Sequence, residues 1–272
     1  MGTAILRNKS IVIGGTLLLI MLIAAAAAPW IAPADPLKLA VMDRLSPPSA
    51  QHWFGTDDYG RDVFSRVIYG TRISLEAGAY TAALTMVFGL ILGMLAGYFK
   101  KLDHLIMRIA DGMMAFPSLL LAIAIMAALG PSKFNVVIAM TIVYIPRTTR
   151  VIRSAVLSVK EYEYIEAARA LGASHGRILI KYILPNSLSP LIVQTTFTFA
   201  YAILAEAGLS FLGLGTPPPA PSWGNILSDA RNLMYSAPWL ALFPGFAISL
   251  TVLGLNLLGD GLRDHLDPRM KI

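Results

Sequence analysis

Apolar positions in this chain come in long runs, not in the alternating or one-faced stripes of a water-soluble fold. A helix needs ~20 residues to cross the hydrocarbon core of a bilayer. Runs of that kind cover 11–31, 73–98, 105–129, a stretch starting near 134, 190–214 and 238–258. Gly89, Gly93 and Gly97 recur every four residues in the second run, so one face is smooth enough for another helix to approach closely. Pro117 interrupts the third. The fourth has only 12 residues from Phe134 to Ile145, too few to cross alone. Its helix is therefore expected to run past Pro146 and carry Arg147, Arg150 and Arg153 out of the hydrocarbon. The fifth is the least apolar, with Gln194, Thr198 and Tyr201 on one face at i, i+4 and i+7 and Glu206 near its end. The sixth is expected to kink at Pro244-Gly245 and to stop at Gly259.

Composition agrees. Of the 272 residues, 56% are hydrophobic and 14% charged, with a mean hydropathy of +0.64. Soluble domains carry about 25% charged residues. Too few charges remain to coat a soluble particle, so lipid must cover much of the surface. The expected fold class is an all-α polytopic membrane protein with six transmembrane helices. The first run, preceded by Arg7 and Lys9, also has the outline of a signal peptide; its length and the runs that follow favour an uncleaved anchor. No cysteine is present, which excludes disulfides and thiolate metal sites. The net charge of +6 lacks any block of five like charges, so no nucleic-acid partner is expected.

Basic residues concentrate in cytosolic loops. With the N-terminus inside, the inner segments hold 15 Lys and Arg and the outer ones 7. Both termini are therefore placed in the cytosol. The organisation that follows is a cytosolic N-terminus (1–10), a first span (11–31), an extracytoplasmic segment (32–72), a five-helix core (73–260) and a cytosolic tail (261–272). The core contains a cytosolic loop at 159–186.

That loop has helical composition. Residues 159–171 favour one short helix, which Gly172 can end in a left-handed conformation. Ser174 can cap a second, and Pro185 is expected to end it. From the residues alone this is either an interfacial amphipathic element or a docking element for another protein. Glu166-Ala167-Ala168, then Gly172, then Leu184-Pro185 resembles the EAA loop of the permease subunits of binding-protein-dependent ABC importers. Tyr182 stands where that pattern has Ile. Phe54-Gly55-Thr56-Asp57-Asp58-Tyr59-Gly60-Arg61-Asp62 is similar to the stretch before the second span of the dipeptide and oligopeptide branch. Ser210-Phe211-Leu212-Gly213-Leu214-Gly215, Pro221-Ser222-Trp223-Gly224 and the tail with Leu266-Asp267-Pro268 resemble the same branch, nearest to its C-type permeases.

The resemblance implies the type I ABC importer permease fold in a bacterial plasma (inner) membrane. It implies a homologous second permease, two cytosolic ATPase subunits and an extracytoplasmic substrate-binding protein. Tyr162, Glu166, Ala167, Ala168, Gly172, Leu184 and Pro185 would then form the ATPase-coupling loop. The chain has no phosphate loop, and Gly-Lys never occurs. ATP and magnesium are therefore expected on the partner ATPases, with no cofactor, metal or catalytic residue here. The implied cargo is a dipeptide or oligopeptide, with glutathione, an opine or nickel as alternatives. A stand-alone secondary transporter and a membrane-embedded enzyme are competing classes; neither an internal repeat nor a catalytic cluster supports them.

Gln194, Thr198, Tyr201 and Glu206 line the pathway on one reading and act as helix–helix contacts or a snorkelling carboxylate on the other. Arg108 and Asp111 are expected to pair within one helix, as are Arg72 and Glu76. Asp57, Asp58 and Asp62 read as a turn, not a calcium loop.

Overall fold

The computed structural model describes residues 8–266. Arg7, residues 1–7 of the predicted N-terminal segment, Asp267-Pro268 and the rest of the tail lie outside the described residues. The described chain is helical: α1 (Lys9–Ala26), α2 (Ala28–Ile31), α3 (Val63–Tyr98), α4 (Lys100–Met114), α5 (Ser118–Leu129), α6 (Lys133–Val159), α7 (Glu163–Ala170), α8 (His175–Phe211), α9 (Trp223–Ala230) and α10 (Trp239–Leu266). Among the described residues no strand forms; Thr56 and Asp62 make one isolated bridge.

Helices α1, α3, α8 and α10 are each long and apolar enough to cross a membrane, and α4 with α5 makes a fifth candidate, bent by 94°. Helix α6 continues through Pro146 for 27 residues, but its arginines lower its hydropathy. Large side chains such as Leu19, Phe88, Ile91, Leu120, Phe246 and Leu253 point outward, where only lipid makes their exposure favourable.

Small residues set the packing. Helices α3 and α6 lie side by side and parallel. Gly89 faces Thr148, Gly93 faces Ile152 and Gly97 faces Val156, both helices advancing four residues per contact. A Cβ on any of the three glycines would come within 2.6 Å of the partner side chain. Further along α3, Gly78 receives Phe199 and Ile203 of the antiparallel α8. Helix α1 is tied to α10 in the same way: Gly14 abuts the Gly254 carbonyl, and Gly261 abuts Ile11. Asn8 caps α1 and donates from Nδ2 to the Gly261 carbonyl at 3.4 Å.

Several sequence expectations change. Helix α3 begins at Val63, ten residues before its apolar run, because Asp62 caps it by accepting from the Ser65 amide at 2.8 Å. Helix α10 does not stop at Gly259 but runs on to Leu266, since Gly259 lies under the Phe197 ring and provides close approach, not a stop. The third run breaks near Pro117 as expected, and the break splits two unlike helices: α4 is amphipathic, α5 wholly apolar. Arg108 does not pair with Asp111. Instead Arg150 of α6 meets Asp111 at 2.5 Å and Arg153 meets Asp103 at 2.5 Å, fastening α4 across α6. Arg72 does lie 3.7 Å from Glu76, which also receives Lys133.

Candidate functional site

The 159–186 loop forms an elbow at one end of the bundle. Tyr162 occupies the N-cap position of α7, and Glu163 and Glu166 sit in its first turn, where the helix dipole favours carboxylates. Ile165 and Ala168 turn inward, and Ile165 joins Val156, Val159, Ile178, Ile183 and Leu191 in one apolar cluster. Glu166 and Ala167 face outward. After α7 the chain closes a Schellman motif: the Gly172 amide donates to the Arg169 carbonyl at 2.9 Å and the Ala173 amide to the Ala168 carbonyl at 3.0 Å. Gly172 adopts φ +78°, with open space where a Cβ would project. Its necessity is therefore conformational, not steric. Ser174 then caps the next helix, its Oγ accepting from the Arg177 amide.

Contrary to the expectation from Pro185, the second helix does not end there. It continues into the bundle as α8, which is 37 residues long. A π-helical turn at Ile178–Ile183 lets the Leu184 amide reach back to the Leu179 carbonyl. Asn186 Nδ2 donates to the Tyr182 carbonyl at 2.6 Å and Ser187 Oγ to the Ile183 carbonyl at 3.0 Å. Both bonds run from a side chain to the carbonyl four residues back and brace the turn around Pro185, whose missing amide would otherwise serve the Lys181 carbonyl. The π-turn also rotates Ile183 fully inward and leaves Tyr182 against Tyr164, ring centroids 6.3 Å apart. Leu184 is half-buried and Pro185 exposed. The elbow is held to the end of α3 by Tyr98 Oη and His175 Nδ1, 2.8 Å apart, and by Lys160 Nζ donating to the Gly97 carbonyl at 3.2 Å.

Tyr162 and Pro185 border a groove of about 810 Å³ that runs along α8 past Gln194 and Arg147 and is also lined by Arg263. Gln194 thus reaches the groove wall. Thr198 does not: it is buried and bonds within α8, donating to the Gln194 carbonyl at 2.9 Å. Tyr201 is exposed, with the Arg147 guanidinium 5.1 Å from its ring centroid. Glu206 neither snorkels nor faces a surface. It is 1% exposed and accepts from Ser210 Oγ at 2.7 Å and Ser74 Oγ at 3.0 Å. This carboxylate joins α8 to α3, because the bundle offers two hydroxyl donors and no route to water.

At the far end, the Asp- and Gly-rich stretch forms an ion-pair network. Asp57 is buried and accepts from Arg61 Nε at 2.6 Å and from Arg66, while Arg66 also reaches Asp229 at 3.1 Å. Gly60, at φ +74°, lies against the Ala40 carbonyl where any Cβ would collide. Burial, then the nearby Asp57 and Asp229, push the Asp58 carboxyl above its ordinary range. Trp223 wedges between helices, its Nε1 donating to the Val67 carbonyl at 3.1 Å. None of these contacts was predicted, although the motifs that make them were visible. Arg147 was read only as ending a span.

The family model for a binding-protein-dependent transport system inner membrane component matches residues 87–272. The model for the N-terminal TM domain of oligopeptide transport permease C matches residues 3–48. A putative peptide transport system permease protein of Brucella suis is 51% identical over 98% of this chain and 90% of its own length. The dipeptide transport system permease protein DppC of Alkalihalophilus pseudofirmus is 51% identical over 97% of this chain and 88% of its own. The glutathione transport system permease protein GsiD of Pectobacterium atrosepticum is 46% identical over 98% and 89%.

Proposed function

The chain belongs to the family of binding-protein-dependent transport system inner membrane components, and we propose that it forms half of the translocation pathway for dipeptides or oligopeptides. It is a multi-pass membrane permease subunit of an ABC importer. On our reading the chain crosses the bacterial inner membrane six times, with α6 and the bent α4–α5 pair completing the set and both termini in the cytosol. A homologous second permease faces it. A substrate-binding protein delivers cargo at the end that carries the Asp57 network. Two ATPase subunits, holding ATP and magnesium, grip the opposite end at α7.

The observation that carries this reading is the elbow. Glu166 and Ala167 present a low surface on a helix anchored from behind by Ile165. Past Gly172 the chain continues without a break from His175 to Phe211. A displacement of α7 is therefore passed along a stiff rod to the groove at Gln194.

The test is Gly172→Val in the complete complex. A β-branched residue at φ +78° is strained, although nothing obstructs its side chain. The subunit should still assemble, while ATP hydrolysis loses its stimulation by loaded binding protein. Normal stimulation refutes the lever. Uptake by the purified chain alone under an ion gradient would replace this reading with a secondary transporter. Competition between labelled dipeptides and glutathione separates the two cargoes named for its relatives.

A further inference from the structure

We propose that Arg147 is the intramembrane anchor for the carboxylate of the molecule in transit. The proposal rests on the peptide-import reading above. Arg147 stands 14 residues into α6 from Lys133 and 12 before Val159. At 1.5 Å per residue these are about 21 and 18 Å, which puts it near the middle of α6, well inside the bundle. Its neighbour Thr148 faces Gly89, which lies nine residues, about 14 Å, before the end of α3 at Tyr98.

A cation at that depth is expensive against lipid and is expected to face a cavity or a partner. Arg150 and Arg153 obey this with Asp111 and Asp103. Arg147 has no carboxylate partner among the described residues; it lies over the Tyr201 ring and borders the groove. Among the described residues no acidic side chain lines that groove, while Arg263 adds a second guanidinium to its lining and Gln194 an amide. Such a set suits an anion attached to a backbone of amide groups. A peptide carboxylate can take the guanidinium fork with two parallel hydrogen bonds, which lysine cannot offer. Gln194, whose Nε2 donates to Thr198 Oγ1 at 3.3 Å, has its Oε1 left to accept from the neighbouring peptide unit. Tyr201 keeps the fork from folding back to the bilayer surface.

The experiment uses the complete complex in proteoliposomes with a labelled tetrapeptide and its C-terminal amide, each variant's rate normalised to the wild type for that substrate. Arg147→Gln should lower uptake of the free acid at least tenfold and of the amide less than threefold. Arg147→Lys should lie between. Peptide binding to the binding protein, on another chain, should not change. Equal losses for acid and amide overturn the proposal and point to a structural pairing with the second permease; unchanged uptake of the acid also overturns it. Where Arg147→Gln does not assemble, Arg147→Lys decides by the same ratio. Failure of the wild type to import either peptide is a separate result, and it refutes the cargo assignment instead.

Discussion

Alanine at Gly93 tests the packing that holds the bundle together. Its Cβ would lie 2.6 Å from Ile152 Cβ and 2.8 Å from the Thr149 carbonyl oxygen. Carbon atoms in contact prefer about 3.5–4.0 Å. One methyl group therefore forces α3 and α6 apart by about 1 Å, since a β-carbon and a backbone oxygen cannot swing away. Overpacking of this kind costs about 1–3 kcal/mol. Lipid gives no return for it, because helix association in a bilayer rests on close packing and not on apolar burial. At about 2–4 °C per kcal/mol for chains of this size, Gly93→Ala should lower the melting temperature of the detergent-solubilised complex by roughly 2–12 °C. Gly15→Ala is the control, because nothing lies within 4 Å of its added Cβ. Equal melting of Gly93→Ala and Gly15→Ala would refute this account of the seam.

Other positions give sharp expectations. Asp57→Ala leaves Arg61 and Arg66 with Asp229 as their remaining carboxylate and should cost about 3–5 kcal/mol, read as lower melting and faster proteolysis within 32–62. Asp58 has its folded-state pKa raised, so the folded form favours the protonated carboxyl, and the stability this confers is lost as pH rises through the folded value. Asp58→Asn should therefore raise the melting temperature at pH 7, with the advantage shrinking as pH falls towards the ordinary carboxylate range; lower melting at pH 7 would contradict it. Glu206→Gln should assemble and transport within about twofold of wild type, because Ser74 and Ser210 can bond an amide, whereas Glu206→Leu leaves two buried hydroxyls without a partner and should reduce the amount of assembled complex.

The apolar runs announced the membrane, and α1, α3, α8 and α10 fall where four of them lie. The glycine steps announced a close helix contact, and the Glu166 to Pro185 pattern announced the elbow, down to the left-handed Gly172 and the Ser174 cap. What the chain pattern lacked was the identity of partners. Three glycines on one face do not say that α6 will lie there, or that it will run parallel. Pro185 carried a stop signal, yet the chain passes it through a π-turn at Ile178–Ile183 that local propensity does not show. Asp111 is three residues from Arg108, yet the bend after α4 delivers Arg150 to it. Glu206 and Arg147 looked alike as charges near a span. Tertiary packing sealed the first among serines and opened the second onto a groove. In water, hydropathy separates inside from outside. In lipid the face toward a neighbour and the face toward the bilayer are both apolar, so composition alone determined that this chain lives in a membrane, while only the fold decided which of its polar groups meet each other and which open onto a groove.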